Sequence, residues 1–173
     1  MSDIRAGLGW DLHRIAPGRP LILGGIAVTS EFGLEGHSDA DVLSHAITDA
    51  ILGAAALGDI GMHFPDTDER WKGCDSLVFL RHAKTLAEAE GYRLINVDST
   101  VILERPKLQD YRQAIRERLA ATLSLELDRV SVKFKTAEKL GPVGEGRAAE
   151  AQAIVTMLRL GSGPFHESSN PAA

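Results

Sequence analysis

Asp11 and His13 stand two residues apart in the run GLGWDLHRI, and Asp41, His45 and Asp49 stand four apart in DVLSHAITD. Carboxylate oxygens and imidazole nitrogens are zinc ligands, and two histidines with one carboxylate leave a fourth position open for catalysis. Nitrogen donors favour zinc over magnesium, which takes an all-oxygen shell. On a strand, residues two apart share a face; on a helix, residues four apart share a ridge. Taken singly, each group has an ordinary account, a solvated strand face or a satisfied histidine. Brought together from two elements, Asp11, His13 and His45 form a candidate catalytic zinc set.

Other stretches offer different chemistry. In KTAEKLG (135–141), Thr136 can hydrogen-bond a phosphate and Glu138 can hold a second, harder cation. HSDADVLSH (37–45) opens a helix, so its free amides and Ser38 suit an anion. GDIGMHFPDTD (58–68) is either a connector or a polar wall that binds hydroxyls. The single cysteine, Cys74, cannot form an internal disulfide and has no histidine near it in sequence. It reads as an inert small residue, in a chain suited to a reducing compartment.

These groups need elements to hold them. The first strand spans residues 4 to 15, with Leu8, Trp10 and Leu12 expected toward the core and Asp11 and His13 outward. PLILGGIAVTS comes next, its Gly24-Gly25 either turning a hairpin or breaking a strand. Helical spacing of Val42, Leu43, Ala46, Ile47, Ala50 and Ile51 predicts a helix over about 41–56, with Ser38 and Asp41 as a capping box. A second helix is expected from about Ser76 to Glu90, stopping at Gly91. A strand in LINVDSTVIL puts Ile95, Val97, Val101 and Leu103 on one face. A third helix over about 108–123 lines up Tyr111, Ile115 and Leu119. VSVKFKTA alternates as a strand, and AEAQAIVTMLRL is apolar on both faces, so both are expected to be covered.

A chain of 173 residues, 44% hydrophobic and 25% charged, reads as one globular domain. The net charge of -5 argues against nucleic acid as a partner. No stretch reads as a signal peptide or membrane span, so a cytoplasmic protein is expected. The expectation is an α+β fold, one mixed domain over residues 1–160 with helices on one face of a β-sheet. The Gly, Ser and Pro-rich residues 161–173, His166 included, are expected to form a disordered tail without function.

GWDLH, HSDADVLSHAITDAILGAAALGDIGMHFPDTD, ERPKL and FKTAEKLG resemble, in register from about Ile4 to Leu158, the 2-C-methyl-D-erythritol 2,4-cyclodiphosphate synthase family of the non-mevalonate isoprenoid pathway. The resemblance implies zinc on Asp11, His13 and His45. It places a methylerythritol-phosphate group around His37, Ser38, Asp49, Asp59, Gly61 and the Asp66 loop. It places cytidine against Leu103, Pro106, Lys107, Leu108, Phe134, Lys135 and Thr136. Glu138 matches the ligand of a magnesium or manganese ion between two phosphates, and Asp49, Thr136 and Glu138 match catalytic positions. A homotrimer with active sites between subunits is implied as well.

Some positions depart from the family's commoner pattern. Phe134 and Lys135 stand where Ala and Thr are frequent, Trp10 where Phe is, and His63, read as solvated, where an apolar residue is. In GPVGEGRAAE, Glu145 takes the place of an arginine that in relatives faces an isoprenoid-diphosphate cavity, and Arg147 that of a glutamate. Weak or absent binding of such diphosphates is expected. Two rivals to a cyclase stay open: a metal-dependent phosphohydrolase and a binding module without turnover.

Overall fold

The computed structural model describes residues 3–160; the expected tail over 161–173 lies outside the described residues. A five-stranded sheet runs in the order β4-β1-β7-β5-β6, formed by Ile4–Pro17 (β1), Phe32–Leu34 (β4), Tyr92–Ile102 (β5), Val130–Lys135 (β6) and Ala148–Arg159 (β7). Among the described residues, only β5 and β6 pair in parallel. Leu21–Leu23 (β2) and Ile26–Val28 (β3) form a separate hairpin, turned at Gly24 and Gly25, both at positive φ. That favours the hairpin over the strand break. The longer helices are Val42–Ala54 (α1), Leu77–Ala89 (α3) and Arg112–Leu123 (α4), with short helices at Ile60–His63 (α2) and Gly141–Gly144 (α5). The fold is mixed α+β.

α1 lies on β1 and β7 and is covered in turn by α3. Val42, Leu43, Ala46, Ile47, Ala50, Ile51 and Leu52 are all buried. The contact with β1 is close because β1 presents hydrogens there. A Cβ on Gly7 would lie 2.0 Å from the Ala50 carbonyl oxygen, and one on Gly9 would lie 1.9 Å from that of Ala46. Glycine is the one residue that lets helix backbone and strand backbone approach this far.

That contact reverses the expected facing of β1. Gly7, Gly9, Asp11 and His13 share the helix-covered side, whereas Leu8, Trp10 and Leu12 are exposed at 69%, 53% and 43%. The strand alternates as expected but in the opposite sense, because steric fit against α1 overrides hydrophobicity at these positions. β7 likewise has one covered face. Ala149, Ala151, Ala153, Val155 and Met157 are buried, while Ile154, paired with Leu8, is 49% exposed. The helices therefore leave an apolar strip open on the other side of the sheet.

Three local expectations also change. A register shift between Leu94 and Asn96 takes Ile95 off the buried face, which carries Leu94, Val97, Ser99 and Val101 instead. The cap of α1 is Asp41 alone, which accepts from Ser44 N–H at 3.0 Å and Ser44 Oγ at 2.8 Å. Glu145 and Arg147 form an ion pair at 2.5 Å, but in the turn after α5 rather than on a strand.

Candidate active site

The glycine stretch of β1 sets the position of the metal donors. Two residues beyond Gly9 on the same face comes Asp11, then His13, just where α1 begins and presents His45 from its first turn. Asp11 Oδ2 lies 2.8 Å from His13 Nε2 and 3.0 Å from His45 Nδ1, and the two nitrogens are 3.0 Å apart. Ligand atoms about 2.0–2.2 Å from a tetrahedral zinc are separated by only slightly more than this.

The donor chemistry also fits a cation. His13 Nδ1 donates to the Glu35 carbonyl at 2.7 Å, leaving Nε2 turned toward Asp11. His45 Nε2 contacts Ser76 Oγ at 2.8 Å and Ser38 Oγ at 3.1 Å, leaving Nδ1 on the inner side. Such outer hydrogen bonds fix ring orientation and tautomer in metal sites. Three atoms able to ligate a metal thus converge. Burial opposes ionisation of Asp11, but hydrogen bonds and charge from His13 and His45 outweigh it and hold the carboxyl well below the usual carboxylate range. Burial likewise works against the His13 cation, and Asp11 outweighs it, raising the imidazole above its ordinary 6.5. Asp11, His13 and His45 are the metal-competent group among the described residues.

A cavity of about 520 Å³ opens over these donors. His37, Ser38, Gly61 and Asp66 line it with the three donors, as do Phe64, Trp71 and Phe79, which sequence reasoning missed. The aromatics come from a loop and from α3, and no local spacing ties them to Asp11. Asp49 and Asp59, also expected here, are not among the cavity's lining residues and act on the backbone around it. Asp49 accepts from Ile60 N–H at 2.7 Å and Asp59 caps α2 through Met62 N–H at 3.0 Å, so both shape the loop over the cavity. Burial pushes the Asp49 carboxyl up, against the Ile60 hydrogen bond and with the neighbouring charges of Asp59 and Asp11. Asp41 leaves the expected ridge: it is fully buried and accepts from Gly24 and Gly25 N–H at 2.9 and 2.7 Å. His63 is not free in solvent; its Nε2 donates to the Leu57 carbonyl at 2.9 Å.

A second cavity, of about 360 Å³, lies where β5 and β6 end. Leu103, Pro106, Lys107, Leu108, Phe134, Lys135 and Thr136 all line it. The buried Leu103 and Leu108 form an apolar floor, and Lys107, Lys135 and Thr136 supply donors. The Arg112 guanidinium sits 5.3 Å from the Phe134 ring centroid. Thr136 Oγ1 donates to Glu138 Oε1 at 2.9 Å, so the two groups stand together just past the strand. Glu138 and Lys139 both have positive φ, 51° and 64°. This cavity and the one over Asp11 share no lining residue.

Fold and site together define an α+β protein with a group of side chains able to hold a metal and two clefts that share no lining residue. Residues 4–158 match the model of the YgbB family, and the chain belongs to that family, the family of the 2-C-methyl-D-erythritol 2,4-cyclodiphosphate synthases. A relative from Solibacter usitatus, named 2-C-methyl-D-erythritol 2,4-cyclodiphosphate synthase, is 80% identical over 157 residues, 91% of this chain and 99% of its own length. Among solved structures, the bifunctional IspDF of Campylobacter jejuni is similar with TM-score 0.89 and 41% identity, over 92% of this chain and 43% of that longer protein. A 2C-methyl-D-erythritol-2,4-cyclodiphosphate synthase in a CDP-bound form is similar with TM-score 0.82 and 44% identity, over 88% of this chain and 99% of the other.

Proposed function

We propose that this chain cyclises 4-diphosphocytidyl-2-C-methyl-D-erythritol 2-phosphate to 2-C-methyl-D-erythritol 2,4-cyclodiphosphate and releases CMP, a cytoplasmic step in isoprenoid precursor synthesis. The observation that carries this reading is the pairing of two unlike clefts in a chain 80% identical to a synthase of that name. One cleft converges metal donors; the other joins an apolar floor to phosphate-binding groups. The CDP held by a related structure belongs, on this reading, in the second cleft.

An oxygen of the 2-phosphate attacks the β-phosphorus, and the bond from that phosphorus to the bridging oxygen breaks, leaving with CMP. A phosphate nucleophile is already ionised near neutral pH, so no general base is needed. The task is to hold two anions together and to neutralise the leaving group. Zinc on Asp11, His13 and His45, with magnesium or manganese on Glu138, would supply that neutralising positive charge when bound. His37, Ser38 and the Asp66 loop orient the methylerythritol end. Lys107, Lys135 and Thr136 hold the nucleotide phosphates, while Leu103, Leu108 and Phe134 exclude water from the base.

The two clefts share no lining residue within one chain, which supports a substrate that bridges a subunit boundary. The exposed strip of Ile4, Leu8, Trp10, Leu12 and Ile154 favours association of copies through the open sheet face, and we assign it to a homotrimer. Phosphorus NMR of the reaction tests the chemistry: a cyclic diphosphate plus CMP is expected, and free monophosphates would instead establish the hydrolase. Mixing Asp11→Ala with Lys107→Ala subunits after dissociation tests the shared site. Activity should rise above that of either variant; none despite proven exchange would place the whole site in one chain.

A further inference from the structure

Ser76 stands at the start of α3, where a serine hydroxyl ordinarily accepts from an amide of the first helical turn. It makes no such bond. The side chain of Asp75 takes the Leu77 N–H instead, at 2.9 Å. The Ser76 hydroxyl, fully buried, is directed at the metal donors: it contacts His45 Nε2 at 2.8 Å and Ser38 Oγ at 3.2 Å, and hydrogen-bonds Asp39 Oδ1.

A hydroxyl has one proton and two lone pairs, and an ionised carboxylate only accepts. The Ser76 proton therefore goes to Asp39. Its two lone pairs then receive the Ser38 hydroxyl proton and the His45 Nε2 proton. Ser38 Oγ in turn accepts from Ala40 N–H at 3.2 Å. Asp39 is itself held by Ser76 N–H and Asp41 N–H, each at 3.2 Å. Ser38 Oγ also lies 3.1 Å from His45 Nε2, but a bare Nε2 accepting from it would turn its lone pair on the Ser76 oxygen, 2.8 Å away and with its own proton given to Asp39. The network therefore favours a proton on Nε2. In a neutral His45 ring with its proton on Nε2, Nδ1 is the bare nitrogen, so the Asp39–Ser76 chain holds the proton against the pull of Asp11 Oδ2, 3.0 Å from Nδ1.

The geometry points to Ser76 and Asp39 as positioning residues that set the His45 tautomer before any metal arrives, through the chain Asp39–Ser76–His45. This inference rests on the reading of Asp11, His13 and His45 as metal ligands. Removing the device should leave the fold and all three ligands in place while making Nδ1 a donor part of the time.

The test reads tautomer and metal separately. Long-range proton–nitrogen NMR of the metal-free protein should show His45 as the Nε2–H form, and Ser76→Ala should show a mixture of both forms. Zinc affinity, measured by chelator competition, should fall roughly ten- to a hundredfold in Ser76→Ala, the range for losing an outer partner of a metal-bound histidine. Asp39→Asn, which offers one acceptor oxygen to three donors, should shift both readings in the same direction and serves if Ser76→Ala fails to fold. A His45 ring still wholly in the Nε2–H form, with zinc affinity changed by less than about twofold (under 0.5 kcal/mol), would overturn the proposal. Zinc binding equally strong in all three proteins overturns the proposal alone; no zinc binding in the unaltered chain overturns the metal reading with it.

Discussion

The two clefts are built on opposite plans. Over Asp11, every donor stands on a strand or helix whose backbone is pressed against another, and each histidine ring is tied at its outer nitrogen. At the end of β6, the floor is buried but the polar groups are not: Lys107, Lys135, Thr136 and Glu138 are exposed, at the sheet's edge or on turns beyond it. A metal gripped before chemistry, as proposed for the first cleft, calls for donors positioned in advance. A nucleotide that enters, reacts and leaves as CMP, as proposed for the second, calls for donors that can adjust. Rigidity and adaptability are divided between two places in one small domain.

The largest break in this contrast should come from His45→Ala. The side chain is 11% exposed and sits beside the cavity, so the fold should survive its loss. Turnover should fall roughly a thousandfold or more, several kcal/mol of lost charge stabilisation. Metal analysis of the purified variant should find little zinc; full zinc occupancy would remove His45 from the ligand set.

Gly9→Ala attacks the same cleft without touching a ligand. A methyl 1.9 Å from the Ala46 carbonyl must push α1 away from β1. Overpacking of this kind costs about 1–3 kcal/mol, read as a lower urea midpoint, and should weaken zinc binding as well. A variant with unchanged stability would mean that the helix and strand are not pinned together.

Glu138→Gln probes the adaptable side. Turnover should fall about a hundredfold with loss of one charge-stabilising group. CMP affinity should change less than about fivefold, since exposed ion contacts contribute under about 1 kcal/mol. Parallel loss of both would make Glu138 a structural part of the cleft.

The smallest effect should be a pH slope in the metal-free protein. His13 is raised above its ordinary 6.5, so its stabilising contribution is complete below that value and is lost as pH rises through the folded-state value. Asp11 is depressed, so its contribution is present at neutral pH and lost only in strong acid. Stability should therefore fall modestly from about pH 6 to higher pH, and His13→Gln should flatten that slope. With zinc bound the slope should reverse near neutrality, because protons compete for the imidazole.

Much of this was legible in the residues. Helix spacing located α1, α3 and α4; strand and helix periods paired Asp11 with His13 and put His45 on a polar ridge, while the meeting of the two elements depends on the tertiary fold. The facing of β1 was not legible, because hydrophobicity there answers to an open sheet face and the glycines answer to α1. Ile95 was misplaced because a register shift leaves no mark in a hydrophobic pattern. Ser76 marked only the start of a helix, and the fold alone shows its hydroxyl turned toward a histidine on another helix. Phe64, Trp71 and Phe79 meet the donors through tertiary packing that no spacing encodes.

The glycine ladder of β1 also acts as a check on assembly. If β1 slipped by one residue against β7, Leu8 and Trp10 would be carried to the side where α1 leaves room for hydrogen alone. Such a sheet could not close beneath the helix. The same slip would turn Asp11 and His13 away from His45. A miswired site and an unpackable core are thus one error, and the chain cannot make the first without being stopped by the second.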